Sequence, residues 1–316
     1  MLDLRRVRTL REVAARGTIS AAADALHLTP SAASQQLAAL EKEVGRPLLE
    51  PDGRTVRLTP AARLVLRRAD AIFAELEQLD ADFAAAERGA AGPLNVGSSA
   101  TGIIALVAPA AARVLAERPD LDLHVAAAEA PDGLELLDAH GLDILITVES
   151  DETPQGDDPR YFREHLFIDP IDVALPAAHP LAVAAVRERR PLALASLAGE
   201  PFVLPPAGWS CEDVVRGACQ SAGFTPRPAH RAFDWAACLA LVGAGLGVLM
   251  LPSMAEVPPP DGVVVLPVQP TAVRHVVLLT RRGTEEHPAV RVLRDTLREV
   301  ADERARRRGA ATLRVA

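Results

Sequence analysis

Lysine is almost missing from this chain: Lys42 stands alone among 34 basic residues, and arginine fills the rest. Together with an excess of alanine, that bias reads as the mark of a GC-rich genome rather than a functional demand. Cysteine is scarce as well, three in 316 residues, with no two in a CxxC spacing. An odd, unclustered set excludes a disulfide framework and suits a reducing compartment. No run of 18 or more apolar residues occurs, so no membrane span is expected. The opening segment MLDLRRVRTLREVAARG is too charged to hold the apolar centre of a signal peptide, which makes the cytoplasm the expected location. The sequence also lacks HExxH, GxSxG and Walker-type signatures, so neither an enzyme nor a resident metal or cofactor is expected. GAGLGV (243–248) is rich in glycine, but it follows a helical apolar pattern rather than a strand. It reads as a helix end with a tight turn. HPL (179–181) likewise reads as a turn.

What is present begins with an uneven charge. The net charge is -8, yet residues 1–70 hold 12 Lys/Arg against 8 Asp/Glu, leaving -12 for the remainder. A mildly basic head on an acidic body is expected where only the head meets phosphate.

Residues 1–58 read as helices followed by a hairpin. Asp3 caps a helix reaching Arg16, and Gly17 ends it. A short alanine-rich helix follows, from about Ser20 to Leu26. After HLT, a third helix opens with Thr29 as cap and Pro30 in its first turn. At about 100° per residue, Ala33, Leu37, Leu40 and Val44 share one face. Ser31, Gln35, Ala38 and Lys42 lie opposite, with Ser34 at the border. Two helices around a three-residue turn, the second presenting small hydrogen-bonding groups, fit a helix-turn-helix that reads a DNA major groove. Serine and glutamine can exchange hydrogen bonds with base edges and phosphates. EPDGRTVRLT then predicts a wing with a DG turn that brings Arg54 and Arg57 to the flanking backbone.

From about residue 59 to 91 the pattern predicts one long linker helix. Val65, Ala69, Ile72, Leu76, Leu79 and Phe83 recur at steps of four and three, a seam suited to a second copy of the same helix in a dimer.

The stretch AARGTISAAADALHLTPSAASQQLAALEKEVGRPLLEPDGRTVRLTPAA resembles the N-terminal part of the LysR-type transcriptional regulators nearly position for position, departing at Leu49, Pro51 and Ala62. The resemblance implies a multidomain α and α/β fold. A winged helix-turn-helix (1–58) is followed by the linker helix (59–91) and a two-lobed α/β effector-binding domain (92–304), similar in fold to type II periplasmic solute-binding proteins. It further implies Pro30, Ser31, Ser34, Gln35 and Arg54 at a double-stranded DNA operator. Dimers would associate into tetramers, and RNA polymerase would be a possible partner.

The body itself alternates strand and helix patterns from PLNVGSS onward, which predicts a parallel sheet. Strands near 166–175 and 273–281 would cross between lobes, giving lobe I about 92–165 and 271–304, and lobe II about 166–270. The segment after 304 lacks an apolar face and reads as a disordered tail. In open α/β sheets, ligands sit beyond the carboxyl ends of strands, where helix N-termini offer free N–H groups. Ser98, Ser99, Thr101, Thr147 and Ser210 carry hydroxyls at such places and favour a small polar or anionic effector, although each is equally suited to capping a helix. The resemblance strengthens the first four. Phe233 and Asp234 precede a helix expected to face the cleft from the second lobe; Asp234 could meet a cationic group or cap that helix. Cys211 and Cys219 raise thiol sensing, since the family includes peroxide sensors with two cysteines in this neighbourhood. At the spacing those sensors use from Cys219, however, this chain has Ser210.

Overall fold

The computed structural model describes residues 2–52, 55–69, 72, 73, 76, 79, 93–207 and 209–315, with backbone alone at Asp52, Ser210 and 309–315. The chain divides into two compact units, Met1–Ala81 and Asp82–Ala316.

The first unit holds α1 (Leu4–Arg16), α2 (Ile19–Ala25) and α3 (Pro30–Val44), then the antiparallel pair β1 (Leu49–Asp52) and β2 (Thr55–Leu58). A fourth helix, α4, begins at residue 60. Local chemistry sets these limits. Asp3 accepts from the Arg5 N–H at 2.9 Å, and Gly17 closes α1 at φ 75°. Thr18 caps α2 through the Ala21 N–H, and Thr59 caps α4 through the Ala62 N–H. Ala22 and Ala23 are fully buried, which lets α2 lie close against its neighbours. Val7, Leu10, Val13, Leu37, Leu40 and Leu48 form the core; truncating one of these leucines to alanine costs about 2–5 kcal/mol.

The linker seam needs a correction. Val65 and Ala69 pack into this same core, so the first turns of α4 are used within the chain. Ile72, Leu76 and Leu79, further along, are 47%, 42% and 47% exposed. Phe83 lies outside the described residues.

The second unit holds a short parallel pair, β7 (Leu192–Ala193) with β12 (Val268–Gln269), and a large sheet in the order β4-β3-β5-β13-β6-β10-β8-β9, with β11 (Val263–Leu266) paired to β6. In lobe I, β3 (Leu94–Ser98) lies parallel between β4 (Leu123–Ala127) and β5 (Ile144–Val148). In lobe II, β8 (Pro201–Leu204) lies parallel between β9 (Arg227–Arg231) and β10 (Val248–Pro252). The expected parallel sheet is thus mixed. Its antiparallel part comes from β6 (Tyr161–Pro176) and β13 (Ala272–Arg281), which cross between the lobes in opposite directions.

Each lobe has its own core. Val96, Leu106, Ile144, Ile146, Leu278, Leu293 and Leu297 fill one, and Ile171, Val173, Leu175, Phe202, Val215 and Met250 the other. Leu166, Phe167 and Met254 belong to the first core, so lobe II starts nearer Ile171 than residue 166. Helix α5 (Ala100–Glu117), with a π-turn at Ile103–Val107, has a mean hydropathy of 1.5 over 18 residues. Its Ala105, Leu106, Ala110 and Val114 are buried in the first core, while Arg113 on its outer side pairs with Glu303.

Two further readings are corrected. HPL opens a helix, Pro180–Glu188, which His179 caps by accepting from the Leu181 N–H; proline in the first turn is at home there. The expected disordered tail is the end of a helix running Pro288–Val315. Alanine and arginine are strong helix formers without any apolar stripe, and the segment is anchored. Arg304 donates to the Ser253 carbonyl at 2.7 Å, and Arg308 donates to both Asp172 oxygens. GAGLGV is indeed a helix end and turn: the helix Trp235–Gly243 stops, Gly245 takes φ 75°, and β10 begins at Val248.

Candidate functional site

In the first unit the candidate site is the start of α3. Thr29 caps it by accepting from the Ala32 N–H at 3.2 Å, and Pro30 occupies the first turn. Ala33, Leu37 and Leu40 are buried, which fixes the rotation of the helix. Pro30, Ser31, Ser34, Gln35 and Ala38 are consequently all exposed. His27, at φ 53°, makes the left-handed step in the turn between α2 and α3. Gln36, one residue beyond the exposed row, turns inward and accepts from the Thr9 hydroxyl, tying α3 to α1. On the wing, Arg57 donates to Glu50 across the strand pair at 2.8 Å. Arg54 lies outside the described residues.

In the second unit, four of the expected hydroxyls gather at the carboxyl ends of β3 and β5, with distinct duties. Ser98 is fully buried and donates to the Ile146 carbonyl at 3.0 Å, linking β3 to β5. Ser99 caps α5 by accepting from the Gly102 N–H, and its oxygen lies 3.1 Å from that of Thr101. Thr101 accepts from Arg274 at 3.4 Å. Thr147 is buried on β5, opposite Val277 of β13.

Arg274 and Asp169 carry the most charge in this region, and sequence patterns did not single them out. They face each other in the β6–β13 register, 4% and 0% exposed. The Arg274 Nε donates to Asp169 at 3.0 Å. The other Asp169 oxygen accepts from the Ser253 hydroxyl at 2.7 Å and the Met254 N–H at 3.1 Å. A single buried carboxylate therefore joins β6, β13 and the turn after β10, and Arg274 extends the network to Thr101 on α5. The available signal was weak: an aspartate and an arginine in strands otherwise read as apolar.

From lobe II, Ser210 is the first residue of the helix Ser210–Ser221. Asp234 caps Trp235–Gly243 by accepting from the Ala237 N–H at 3.0 Å. Phe233 is 75% exposed and stacks edge-on with Trp209, ring centroids 5.7 Å apart. Glu212, nearly buried, accepts from Arg216 at 2.6 Å and Arg231 at 2.8 Å.

All three cysteines are free and buried. Burial pushes the Cys211 thiol up to about 11, although the guanidinium of Arg274 pulls the other way. Burial likewise lifts Cys219 and Cys238 to about 11. Cys211 and Cys219 sit on one continuous helix, which separates them by about 12 Å of rise. A disulfide needs Cα atoms within about 7 Å. The pair cannot close without unwinding that helix.

Among the described residues, no group of three or more His, Cys, Asp or Glu side chains converges as a metal centre. A cavity of about 430 Å³ opens elsewhere, between α5 and the C-terminal helix, where Arg113, Arg304 and Arg308 are paired with Glu303, Glu256 and Asp172.

Comparison with known proteins identifies the family. Residues 4–63 match the family described as bacterial regulatory helix-turn-helix protein, lysR family, and residues 87–302 match the LysR substrate binding domain. The hydrogen peroxide-inducible genes activator of Dickeya chrysanthemi is 29% identical over 287 residues, 88% of this chain and 89% of that one. A probable hydrogen peroxide-inducible genes activator of Mycobacterium avium is 32% identical over 256 residues, 79% of this chain and 77% of that one. Among solved structures, full-length BenM superposes with a TM-score of 0.60 at 21% identity, covering 96% of this chain and 98% of that one. Full-length CbnR complexed with its target DNA gives 0.56 at 23%, covering 95% and 100%. The chain belongs to the LysR family: it is a DNA-binding transcriptional regulator with a C-terminal effector-binding domain.

Proposed function

We propose that this regulator reads its operator with Pro30, Ser31, Ser34 and Gln35 in the major groove, with Arg54 on the wing contributing a backbone contact. A small polar or anionic effector bound between the lobes would control it. The observation that carries the DNA assignment is the exposed row at the start of α3, held in one rotation by the buried Ala33, Leu37 and Leu40. Serine, glutamine and small side chains suit close approach to base edges. For the effector, the support is the hydroxyl cluster of Ser99 and Thr101 at the N-terminus of α5, beside Arg274. Exposed N–H groups and hydroxyls favour a carboxylate or a similarly polar group. Thr147, Ser210, Phe233 and Asp234 are the further candidates around the cleft, though the hydrogen bond to Ala237 already gives Asp234 a capping role. Pairing through Ile72, Leu76, Leu79 and Phe83 would form a dimer, which would assemble further on an interrupted palindrome. Effector-driven closure would change how the dimers sit on DNA and how RNA polymerase is recruited. The setting is the bacterial cytoplasm.

The names of the relatives invite a peroxide-sensing reading, but this chain's thiols are buried and held protonated. A metabolite effector is the better-supported signal.

The deciding experiment is a footprint on the DNA upstream of the protein's own gene at two salt concentrations, against scrambled DNA of equal length. A salt-resistant protected site spanning two or more helical turns supports a multimeric specific regulator. Equal loss of protection on both DNAs as salt rises refutes specific binding at that site. Effector binding that leaves the footprint unchanged refutes the closure mechanism.

A further inference from the structure

His165 and His275 form a pair that the hydroxyl cluster does not include. His165 lies on β6 and His275 on β13, the two strands that cross between the lobes. The register places His275 opposite Ile168 and Val276 opposite Phe167, then shifts so that Val277 faces His165. This bulge leaves Leu166 without its own partner, and Leu166 and Phe167 both turn into the core. Residues two apart on a strand share a face. His275 and His165 are therefore diagonal neighbours on one face, within reach for side chains of this length. Both are exposed.

The Nδ1 of His275 and the Nε2 of His165 stand 3.4 Å apart, with the rings at 60° and their centroids 5.5 Å apart. That is long for a hydrogen bond involving nitrogen, which centres near about 2.9–3.0 Å. It is the separation of two ligands on one metal ion. Imidazole nitrogens each about 2.0–2.1 Å from a tetrahedral zinc lie about 3.3–3.4 Å from one another.

We propose that His165 and His275 form a two-histidine site for a borderline divalent cation, zinc in the first instance, which cross-links β6 and β13 on the lobe I side of the crossover. Imidazole donors suit zinc, copper and nickel rather than magnesium or calcium. Because no third His, Cys, Asp or Glu ligand converges here among the described residues, water completes the coordination. The charged groups facing the pair are Glu149 and Arg163, which are ion-paired with each other at 2.8 Å. Glu149 also donates its N–H to the His275 carbonyl at 2.8 Å. Its carboxylate favours a cation at the site, while Arg163 opposes one.

Isothermal titration of the full-length protein with zinc chloride tests the site. One equivalent per chain is expected, lost in His165→Asn and lost equally in His275→Asn. His124→Asn should leave it intact, since His124 pairs with Asp122 on another strand. Circular dichroism confirms that each exposed substitution leaves the fold in place. Repeating the titration at about pH 5, where protons compete with the metal for the ring nitrogens, should weaken uptake. Failure of the wild-type chain to take up zinc would overturn the proposal, as would stoichiometric uptake surviving in either His165→Asn or His275→Asn. Uptake undiminished at low pH would assign the metal to carboxylates and overturn it too.

Discussion

Arg274 and Asp169 stand directly opposite one another on β13 and β6, sealed from solvent at the crossover between the lobes. Removing one partner of such a pair leaves an uncompensated buried charge and costs about 3–5 kcal/mol. Asp169→Asn should therefore destabilise the effector-binding unit by that order in urea unfolding. Replacing both residues with apolar side chains of similar volume should cost markedly less. A double-variant loss equal to the sum of the two single losses would show that the pair is not energetically coupled.

DNA affinity and stability should separate on α3. Ser34→Ala with Gln35→Ala removes a hydroxyl and an amide that are exposed to solvent, so unfolding should shift by less than about 0.5 kcal/mol. Operator affinity should fall by about 1–3 kcal/mol for each base edge no longer read. Thr29→Ala should do the converse, costing about 1 kcal/mol of stability through removal of the cap. Gel-shift titration beside thermal melting distinguishes the two effects.

Ile72, Leu76 and Leu79 are exposed apolar residues, each helical in its own backbone. Leu76→Asp with Leu79→Asp should convert the protein to a monomer in sedimentation equilibrium without unfolding the first unit, whose core ends at Ala69 and the half-buried Phe73. An unchanged molecular mass would place the dimer contact elsewhere.

The thiols should be silent. With Cys211, Cys219 and Cys238 all raised to about 11 by burial, the thiolate fraction near neutral pH is small, and the thiolate is the reactive form. Ellman's reagent should label none of the three in native protein and all three in denaturant. Hydrogen peroxide should leave the footprint unaltered. Rapid native labelling of Cys211 would revive the thiol-sensing alternative.

Glu212 should contribute acid sensitivity to lobe II. Burial pushes its carboxyl up, but hydrogen bonds from Arg231 and Arg216 outweigh that and hold it below the usual range. A folded-state value below the unfolded one means that the stability it adds is complete above the unfolded value, about 4.3. That stability is lost as pH falls through the folded value. Glu212→Gln should lower stability at neutral pH by about 1–3 kcal/mol and flatten the acid limb of the stability profile. A profile parallel to wild type would count against the assignment.

The head was legible in the sequence because its signals are local. Asp3, Gly17, Thr29 and Pro30 mark helix ends by their own chemistry, and the residues facing the core recur at helical spacing. Two of the cleft candidates were legible as helix-start residues, since Ser99 and Asp234 do cap helices. Arg274 and Asp169 were not, because their importance comes from a strand register spanning 105 residues of sequence. The end of the last helix was missed for a different reason. It carries no apolar periodicity, and Arg304 and Arg308 are instead fixed by partners far away in the chain, Ser253 and Asp172. Val65 and Ala69 fit a dimer seam and an internal core equally well, and spacing alone does not choose between them.

Because β13 and β6 are hydrogen-bonded from Arg281 and Tyr161 down to Ala272 and Ile171, and β6 continues into pairing with β10, the two lobes are not shells on a pin. They are the two ends of one woven ribbon. A one-residue slip would turn every side chain to the wrong face, so closing the cleft leaves only twist and bend as degrees of freedom. Such a body stores deformation as a torsion spring does, spread along paired strands rather than concentrated at a hinge point.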